Sequence, residues 1–107
     1  MLNVLDLFAG AGGGVLTSKL LGHRTLCAVE IDSYCRSVLL QRQRDTGEHY
    51  PIWDDIRTFD PEPWIGAVQL IQGGWPCTDL SSAGKKTGLS GKNSGLYIEI
   101  FRLARAI

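Results

Sequence analysis

Short apolar runs alternate along this chain with longer stretches in which apolar and polar residues are mixed. Short apolar runs bounded by glycine or polar residues are typical of strands that are buried in a sheet. Four strands are expected, the third of them a short strand or a turn, at residues 2–8, 25–31, 53–56 and 67–71. Because helix-like stretches follow the first two, the sequence predicts an α/β fold with a parallel sheet and helices on its faces.

The first two helices have recognisable ends. One is expected at residues 13–21, where Gly22 ends it. The other is expected to run to about Arg44 from a cap at Asp32 or Ser33, since both side chains accept hydrogen bonds from the free backbone N–H groups of a first helical turn.

The last third of the chain predicts a loop and then a helix. Pro61 and Pro63 are expected to bar regular structure before the fourth strand. A long loop is expected at residues 73–93, with Ser94 capping the helix that follows. In that helix one apolar stripe recurs at spacings of four, three and four residues, formed by Leu96, Ile100, Leu103 and Ile107.

Length and composition limit the class of protein. The 107 residues allow one domain at most, and 44% hydrophobic with 21% charged residues is ordinary for a globular protein, which excludes a disordered chain. No run approaches the roughly 20 apolar residues that cross a bilayer, and no leader is visible, so a cytoplasmic protein without a membrane partner is expected. The three cysteines include no Cys-x-x-Cys pair, which suggests neither a disulfide framework nor a metal site.

The formal net charge of zero hides an uneven distribution. Residues 1–83 carry ten acidic and six basic side chains, whereas residues 84–107 carry one acidic and five basic ones. A local basic patch suits a polyanionic partner. The alternative is a solvated loop and helix face.

A glycine-rich loop follows the first strand. Without a Cβ, a glycine lets a ligand approach the backbone. A dinucleotide fingerprint counted from Gly10 needs a glycine at Val15, so a pyrophosphate ligand is disfavoured. Glu30, at the end of the next strand, can accept hydrogen bonds from ribose hydroxyls, or it is an exposed acid that leads into a helix.

A second glycine loop presents a cysteine. Cys77 lies behind Pro76 at the carboxyl end of the fourth strand, the end that faces the ligand crevice in open α/β sheets. This position favours a nucleophile. The alternative is a small buried cysteine that fills a gap in the core.

Together these stretches resemble the DNA cytosine-5 methyltransferase family. Its cofactor motif, Phe-x-Gly-x-Gly-Gly, matches residues 8–13, and its nucleophile motif, Pro-Cys-x-x-x-Ser, matches residues 76–81. Residues 28–32 look like its ribose-binding strand end and residues 54–56 like its adenine-binding turn. The four motifs stand in the family's order. The resemblance covers nearly the whole chain, but only the first portion of a family member.

The resemblance implies a Rossmann-like methyltransferase fold with the N-terminal half of the sheet only, residues 1–107 being a partial catalytic domain. The cofactor would be S-adenosylmethionine. Ile31 and Ile56 would hold its adenine, and Asp55 would accept a hydrogen bond from the adenine amino group, with Asp54 as a turn residue. The cofactor contacts implied are Phe8, Gly10, Ala11, Gly12, Gly13, Glu30, Ile31, Asp55, Ile56 and Pro76.

The resemblance also implies a covalent reaction. The Cys77 thiolate would add to carbon 6 of a cytosine flipped out of duplex DNA, the methyl group would pass to carbon 5, and elimination would free the enzyme. The sequence departs from the usual motif at Thr78 and Leu80, where the family commonly has glutamine and phenylalanine. DNA contacts are expected from Ser81, Lys85, Lys86 and Lys92.

The family's later Glu-Asn-Val segment has no counterpart in these residues. The chain is therefore expected to be truncated or split and inactive by itself, with a C-terminal half supplied by another chain, in a bacterial, phage or archaeal host. One alternative is a non-catalytic cofactor-binding remnant or regulatory fragment. Another is a nicotinamide-dependent oxidoreductase, which Val15 and the cysteine loop disfavour.

Overall fold

The computed structural model describes residues 1–73 and 97–107. These residues form four strands and three α-helices, with two 3-10 turns at Ile56–Thr58 and Glu62–Trp64. In chain order the elements are β1 Asn3–Leu7, α1 Gly13–Leu20, β2 Arg24–Val29, α2 Ser33–Thr46, β3 Ile52–Trp53, β4 Leu70–Gly73 and α3 Tyr97–Ala106.

The four strands form one parallel sheet in the order β3-β2-β1-β4. β1 is central: Leu7 pairs with Val29 of β2 on one side and with Gly73 of β4 on the other. The predicted α/β fold with a parallel sheet is confirmed. Since the strands are parallel, their carboxyl ends lie at one edge, where the glycine loop leaves β1.

Each face of the sheet buries its own apolar cluster. Leu5 and Leu7 pack on one face with Leu103 of α3. On the other face Ala28 of β2 packs with Val15 of α1 and Leu39 of α2. The sheet thus lies between α3 and the α1–α2 pair, and the predicted stripe of α3 is confirmed at Leu103, which is fully buried.

The start of α2 is fixed by a side-chain cap. Asp32 accepts hydrogen bonds from the backbone N–H groups of Tyr34 at 2.8 Å and Cys35 at 3.1 Å. Of the two residues that the sequence offered as the cap, Asp32 is therefore the one used. The helix ends at Gly47, whose φ of 75° lies in the left-handed region that favours glycine.

Two predictions for the middle of the chain are wrong in detail. The fourth strand begins at Leu70 rather than Ala67, because a turn through Gly66, with φ 82°, carries the chain past Ala67 before pairing with β1 begins. The stretch with Pro61 and Pro63 also contains regular structure. Its 3-10 turn tolerates proline because the first N–H groups of a helical turn have no partner within it.

Among the residues that the structure describes, no helix combines the length and the apolar character that crossing a membrane requires. The predicted loop at 73–93 lies beyond its first residue outside the described ranges, as do Ser94 and Leu96.

Candidate functional site

The glycine loop leaves β1 through a series of left-handed residues. Gly10 and Gly12 have φ values of 57° and 101°, and Phe8 has φ 52°. For a side chain as large as phenylalanine that conformation costs about 1 kcal/mol. It turns the chain so that the Ala9 N–H reaches the carbonyl of Val29 at 3.0 Å, which holds the loop against the end of β2. Strain at a non-glycine residue marks this loop as a functional candidate.

The glycines of the loop have different surroundings. A Cβ added at Gly10 or Gly13 meets no atom within 4 Å. A Cβ at Gly12 would lie 3.1 Å from the Leu39 side chain, and one at Gly14 would lie 2.7 Å from a carboxylate oxygen of Asp6. Open space for a ligand therefore lies at Gly10 and Gly13, whereas Gly12 and Gly14 are needed for packing inside the protein.

Glu30 connects the loop to the next helix. Its Oε1 accepts a hydrogen bond from the Gly10 N–H at 2.6 Å, and its Oε2 accepts one from the Asp32 N–H at 2.9 Å. Glu30 is buried, so the alternative prediction, an exposed acid that leads into a helix, is wrong. Each carboxylate oxygen has a further lone pair, so Glu30 can still accept from ligand hydroxyls.

The expected adenine-binding residues lie at the ends of β2 and β3. Ile31 follows Glu30 and is exposed, whereas Ile56 is buried in the apolar cluster that contains Leu103. Asp55 Oδ1 accepts from the Arg57 backbone N–H at 2.9 Å, and this bond holds the pKa of its carboxyl below the ordinary range. Asp54 accepts from the Asp55 N–H at 2.7 Å and acts as a turn residue.

The structure thus brings most of the expected cofactor residues to one edge of the sheet. Gly10 of the loop donates directly to Glu30, and Glu30 N donates to the carbonyl of Trp53 at the end of β3. The expected nucleophile, the proline before it and the DNA contacts lie outside the described residues: Cys77, Pro76, Ser81, Lys85, Lys86 and Lys92. The roles of all these residues remain predictions.

Sequence reasoning missed Asp6. This acid of β1 is buried, and it lines a cavity of about 460 Å³ together with Phe8, Gly13, Thr17 and Gln72. Burial raises the pKa of the Asp6 carboxyl to about 6, and a hydrogen bond from Gln72 opposes that rise only in part. A carboxylate inside an otherwise apolar strand was the available signal.

Neither described cysteine has an activated thiol. Burial raises the pKa of the Cys27 thiol to about 12. The pKa of the Cys35 thiol is also raised, by partial desolvation and by the negative charges of Asp32 and Glu30. Since the thiolate is the reactive form, both residues are poor nucleophiles.

Arg102 of α3 holds the 54–59 segment in place. Its guanidinium donates to the carbonyl of Ile56 at 2.9 Å and to that of Phe59 at 3.2 Å, and Glu99 pairs with its Nε at 2.6 Å. The contact joins α3 to the turn that carries Asp55.

Replacing Arg102 by methionine should therefore lower the free energy of unfolding by about 2 kcal/mol, because two carbonyls lose a charged donor while the aliphatic stem is kept. Urea unfolding measures the effect. Arg105→Met is the matched control, since Arg105 is an exposed residue of the same helix. Equal, small changes in both variants would show that the Arg102 contacts contribute nothing.

Comparisons with known proteins agree with this arrangement. A family model described as C-5 cytosine-specific DNA methylase matches residues 2–107. The Type II methyltransferase M.Eco47II of Escherichia coli is 35% identical over 104 residues, which are 97% of this chain and 24% of that protein. The Type II methyltransferase M2.BsuMI of Bacillus subtilis is 35% identical over 95% of this chain and 24% of its own length.

The fold is shared with a solved structure. The crystal structure of the S. pombe Dnmt2 methyltransferase matches all of this chain and 30% of its own with a TM-score of 0.66, at 17% identity. This chain spans about a quarter of the length of the relatives M.Eco47II and M2.BsuMI. Since the family model covers nearly every residue, the chain belongs to the C-5 cytosine-specific DNA methylase family.

Proposed function

We propose that residues 1–107 are part of a catalytic domain that methylates carbon 5 of cytosine in DNA. The observation that carries this proposal is the bond from Gly10 N to Glu30 Oε1, which holds an open glycine loop beside an acid at the ends of β1 and β2. This arrangement stands in a chain that matches a C-5 cytosine-specific family model along its length. The relatives' names support the reaction class, since both are Type II methyltransferases.

The described residues fit S-adenosylmethionine as the cofactor. Backbone open to a ligand at Gly10 and Gly13 suits a cofactor without phosphate, and Glu30 retains lone pairs for ribose hydroxyls. The exposed Ile31 suits an adenine ring, and Asp55, in the turn after β3, is the proposed acceptor for its amino group. When bound, S-adenosylmethionine supplies a methyl group that its sulfonium makes electrophilic.

Cys77 is the nucleophile in this proposal. Of the three cysteines in the sequence, Cys27 and Cys35 have raised thiol pKa values, which leaves Cys77 behind Pro76 as the candidate. Its thiolate adds to carbon 6 of the cytosine, which makes carbon 5 nucleophilic enough to take the methyl group that S-adenosylmethionine would supply. Removal of the carbon 5 proton then restores the ring double bond, breaks the carbon–sulfur bond and frees the thiolate.

Duplex DNA with a flipped cytosine is the proposed substrate. Ser81, Lys85, Lys86 and Lys92 contact its phosphates, as the basic end of the sequence favours. About three-quarters of each relative has no match in this chain. We infer that the part corresponding to it, in the same or a second chain, reads the DNA sequence. The reaction takes place in the cytoplasm of a bacterial, phage-infected or archaeal cell.

Calorimetric titration of the chain with S-adenosylmethionine and with NAD tests the cofactor. Binding of S-adenosylmethionine alone supports the proposal, and binding of NAD alone overturns it in favour of an oxidoreductase. Binding of neither ligand by a folded chain would favour a remnant that no longer uses a cofactor.

Gly13→Val should reduce the affinity for S-adenosylmethionine by about tenfold or more, or at least 1.4 kcal/mol, because the new side chain occupies the ligand's space. Gly13 is the first residue of α1 and its φ is not positive, so valine adds no backbone strain. The melting temperature should stay the same or rise. Gly13→Ala, with one methyl group, should give a smaller loss, and unchanged affinity in both variants would place the ligand elsewhere.

A further inference from the structure

The connection from β2 to α2 carries two of the proposed cofactor contacts, Glu30 and Ile31. Pairing with β3 ends where the Glu30 N–H donates to the carbonyl of Trp53 at 2.9 Å, and α2 begins at Ser33. The carbonyls of Glu30 and Ile31 therefore lie between the sheet and the helix. In the described part of the chain, neither carbonyl accepts a hydrogen bond from a backbone N–H group.

Arg36, in the first turn of α2, donates to both of these carbonyls. Its Nη1 lies 2.7 Å from the Ile31 oxygen and 3.1 Å from the Glu30 oxygen. Because Nη1 carries two hydrogens, it can give one to each carbonyl. The side chain thus reaches back five and six residues along the sequence and holds the main chain of the connection from the helix side.

The position of Arg36 is unfavourable for the helix itself. The first turn is the positive end of a helix dipole, where an acid is stabilising and a cation is not. The first turn of α2 contains no acid, and Arg36 adds a positive charge there. Among the described residues Arg36 forms no ion pair that offsets this. The contacts that favour an arginine here are therefore the two to the connection before the helix.

We propose that Arg36 is a positioning residue for the adenosine end of S-adenosylmethionine. It holds the main chain at Ile31, whose exposed side chain is the proposed adenine contact, and at Glu30, whose carboxylate is the proposed ribose contact. This inference rests on the proposed function. A segment that is already fixed in its binding conformation loses less conformational entropy when the ligand binds, which raises the affinity.

Replacing Arg36 by methionine tests this role, because methionine keeps most of the apolar stem and removes the donors. Binding of S-adenosylmethionine and of 5′-methylthioadenosine should weaken by the same factor, about threefold to tenfold, since both ligands contain adenosine. The melting temperature should stay about the same, because a charge that opposes the helix dipole is lost together with the two hydrogen bonds. Arg44→Met, which changes an exposed arginine of the same helix, should leave both affinities unchanged.

A double variant shows whether Arg36 acts through Ile31. Ile31→Ala shortens the proposed adenine contact, and its side chain is exposed, so the fold should tolerate the change. If Arg36 positions Ile31, Arg36→Met should weaken 5′-methylthioadenosine binding by a smaller factor in the Ile31→Ala chain than in the unmodified chain. Calorimetric titration of the four forms gives both factors.

Three results would overturn the inference. An affinity loss with a matching fall in melting temperature would show that Arg36 only stabilises the fold. Equal factors in the two backgrounds would show that it does not act through Ile31, and an unchanged affinity would show that the connection keeps its position without it.

The same titrations separate this inference from the proposed function. If the unmodified chain binds neither ligand, the proposed cofactor site itself fails. If it binds both and Arg36→Met behaves like Arg44→Met, the proposed function stands and only the role of Arg36 fails.

Discussion

Replacing Cys77 by serine is expected to lower the rate of methyl transfer by about a thousandfold or more, while leaving S-adenosylmethionine binding unchanged. The proposed reaction begins with a thiolate that adds to carbon 6 of cytosine. A thiol with a pKa near 8.5 is a few per cent ionised at neutral pH, whereas a serine hydroxyl is essentially never ionised there without a strong base. Serine is close to cysteine in size, so the variant removes the nucleophile with little change in side-chain volume.

Measuring this rate requires a complete enzyme that can methylate DNA. A chimera in which residues 1–107 replace the matching segment of M.Eco47II provides one, since the match covers 97% of this chain. Transfer of a tritiated methyl group to duplex DNA gives the rate, and DNA containing 5-fluorocytosine should trap the unmodified chimera but not the variant. Cys35→Ser is the matched control and should retain activity, because the Cys35 thiol has a raised pKa.

Near-normal turnover by the Cys77→Ser chimera would rule out covalent catalysis through this residue. Loss of activity in both cysteine variants would indicate general damage to the site. An unmodified chimera that binds S-adenosylmethionine yet transfers no methyl group would favour a non-catalytic remnant for this segment.

Much of the fold follows from local sequence. β1, β2 and the two helices after them lie within two residues of their predicted bounds, because each begins or ends at a local signal such as Asp32 or Gly22. β4 is different. Val68 is apolar and buried, as its strand-like run predicts, but it lies before the strand, just after the turn through Gly66. An apolar residue indicates burial, not pairing with a neighbouring strand, and so the start of β4 was misplaced.

The site was predictable where a motif carries it and unpredictable where distant residues decide. The strand ends and the family motifs both pointed to the glycine loop and Glu30, and the structure brings these two together. The sequence did not predict which glycines have free space beside them, because the space at Gly12 is filled by the side chain of Leu39 in α2. The same holds for Asp6, because Gln72, which donates to its carboxylate, lies more than sixty residues away in the sequence.

Glu30 has a structural role in holding the glycine loop and a proposed role in binding the ribose, and its replacement should affect both. Glu30→Ala removes the acceptor for Gly10 N and Asp32 N, so we expect the free energy of unfolding to fall by about 3 kcal/mol, since each charged hydrogen bond contributes about 1.5–3 kcal/mol and part of this is recovered by water. The affinity for S-adenosylmethionine should fall by about tenfold to a hundredfold, from the lost ribose contacts.

A ligand without ribose hydroxyls distinguishes the structural role of Glu30 from its role in binding the ribose. The unmodified chain should bind 5′-methylthioadenosine more tightly than its 2′,3′-dideoxy form, whereas Glu30→Ala should bind both with the same weak affinity, because the acceptor of the hydroxyls is gone. Glu62→Ala, which truncates an exposed acid far along the chain, should keep the preference and the stability. A Glu30→Ala chain that still prefers the hydroxylated ligand would show that Glu30 holds the glycine loop in place and does not contact the ribose.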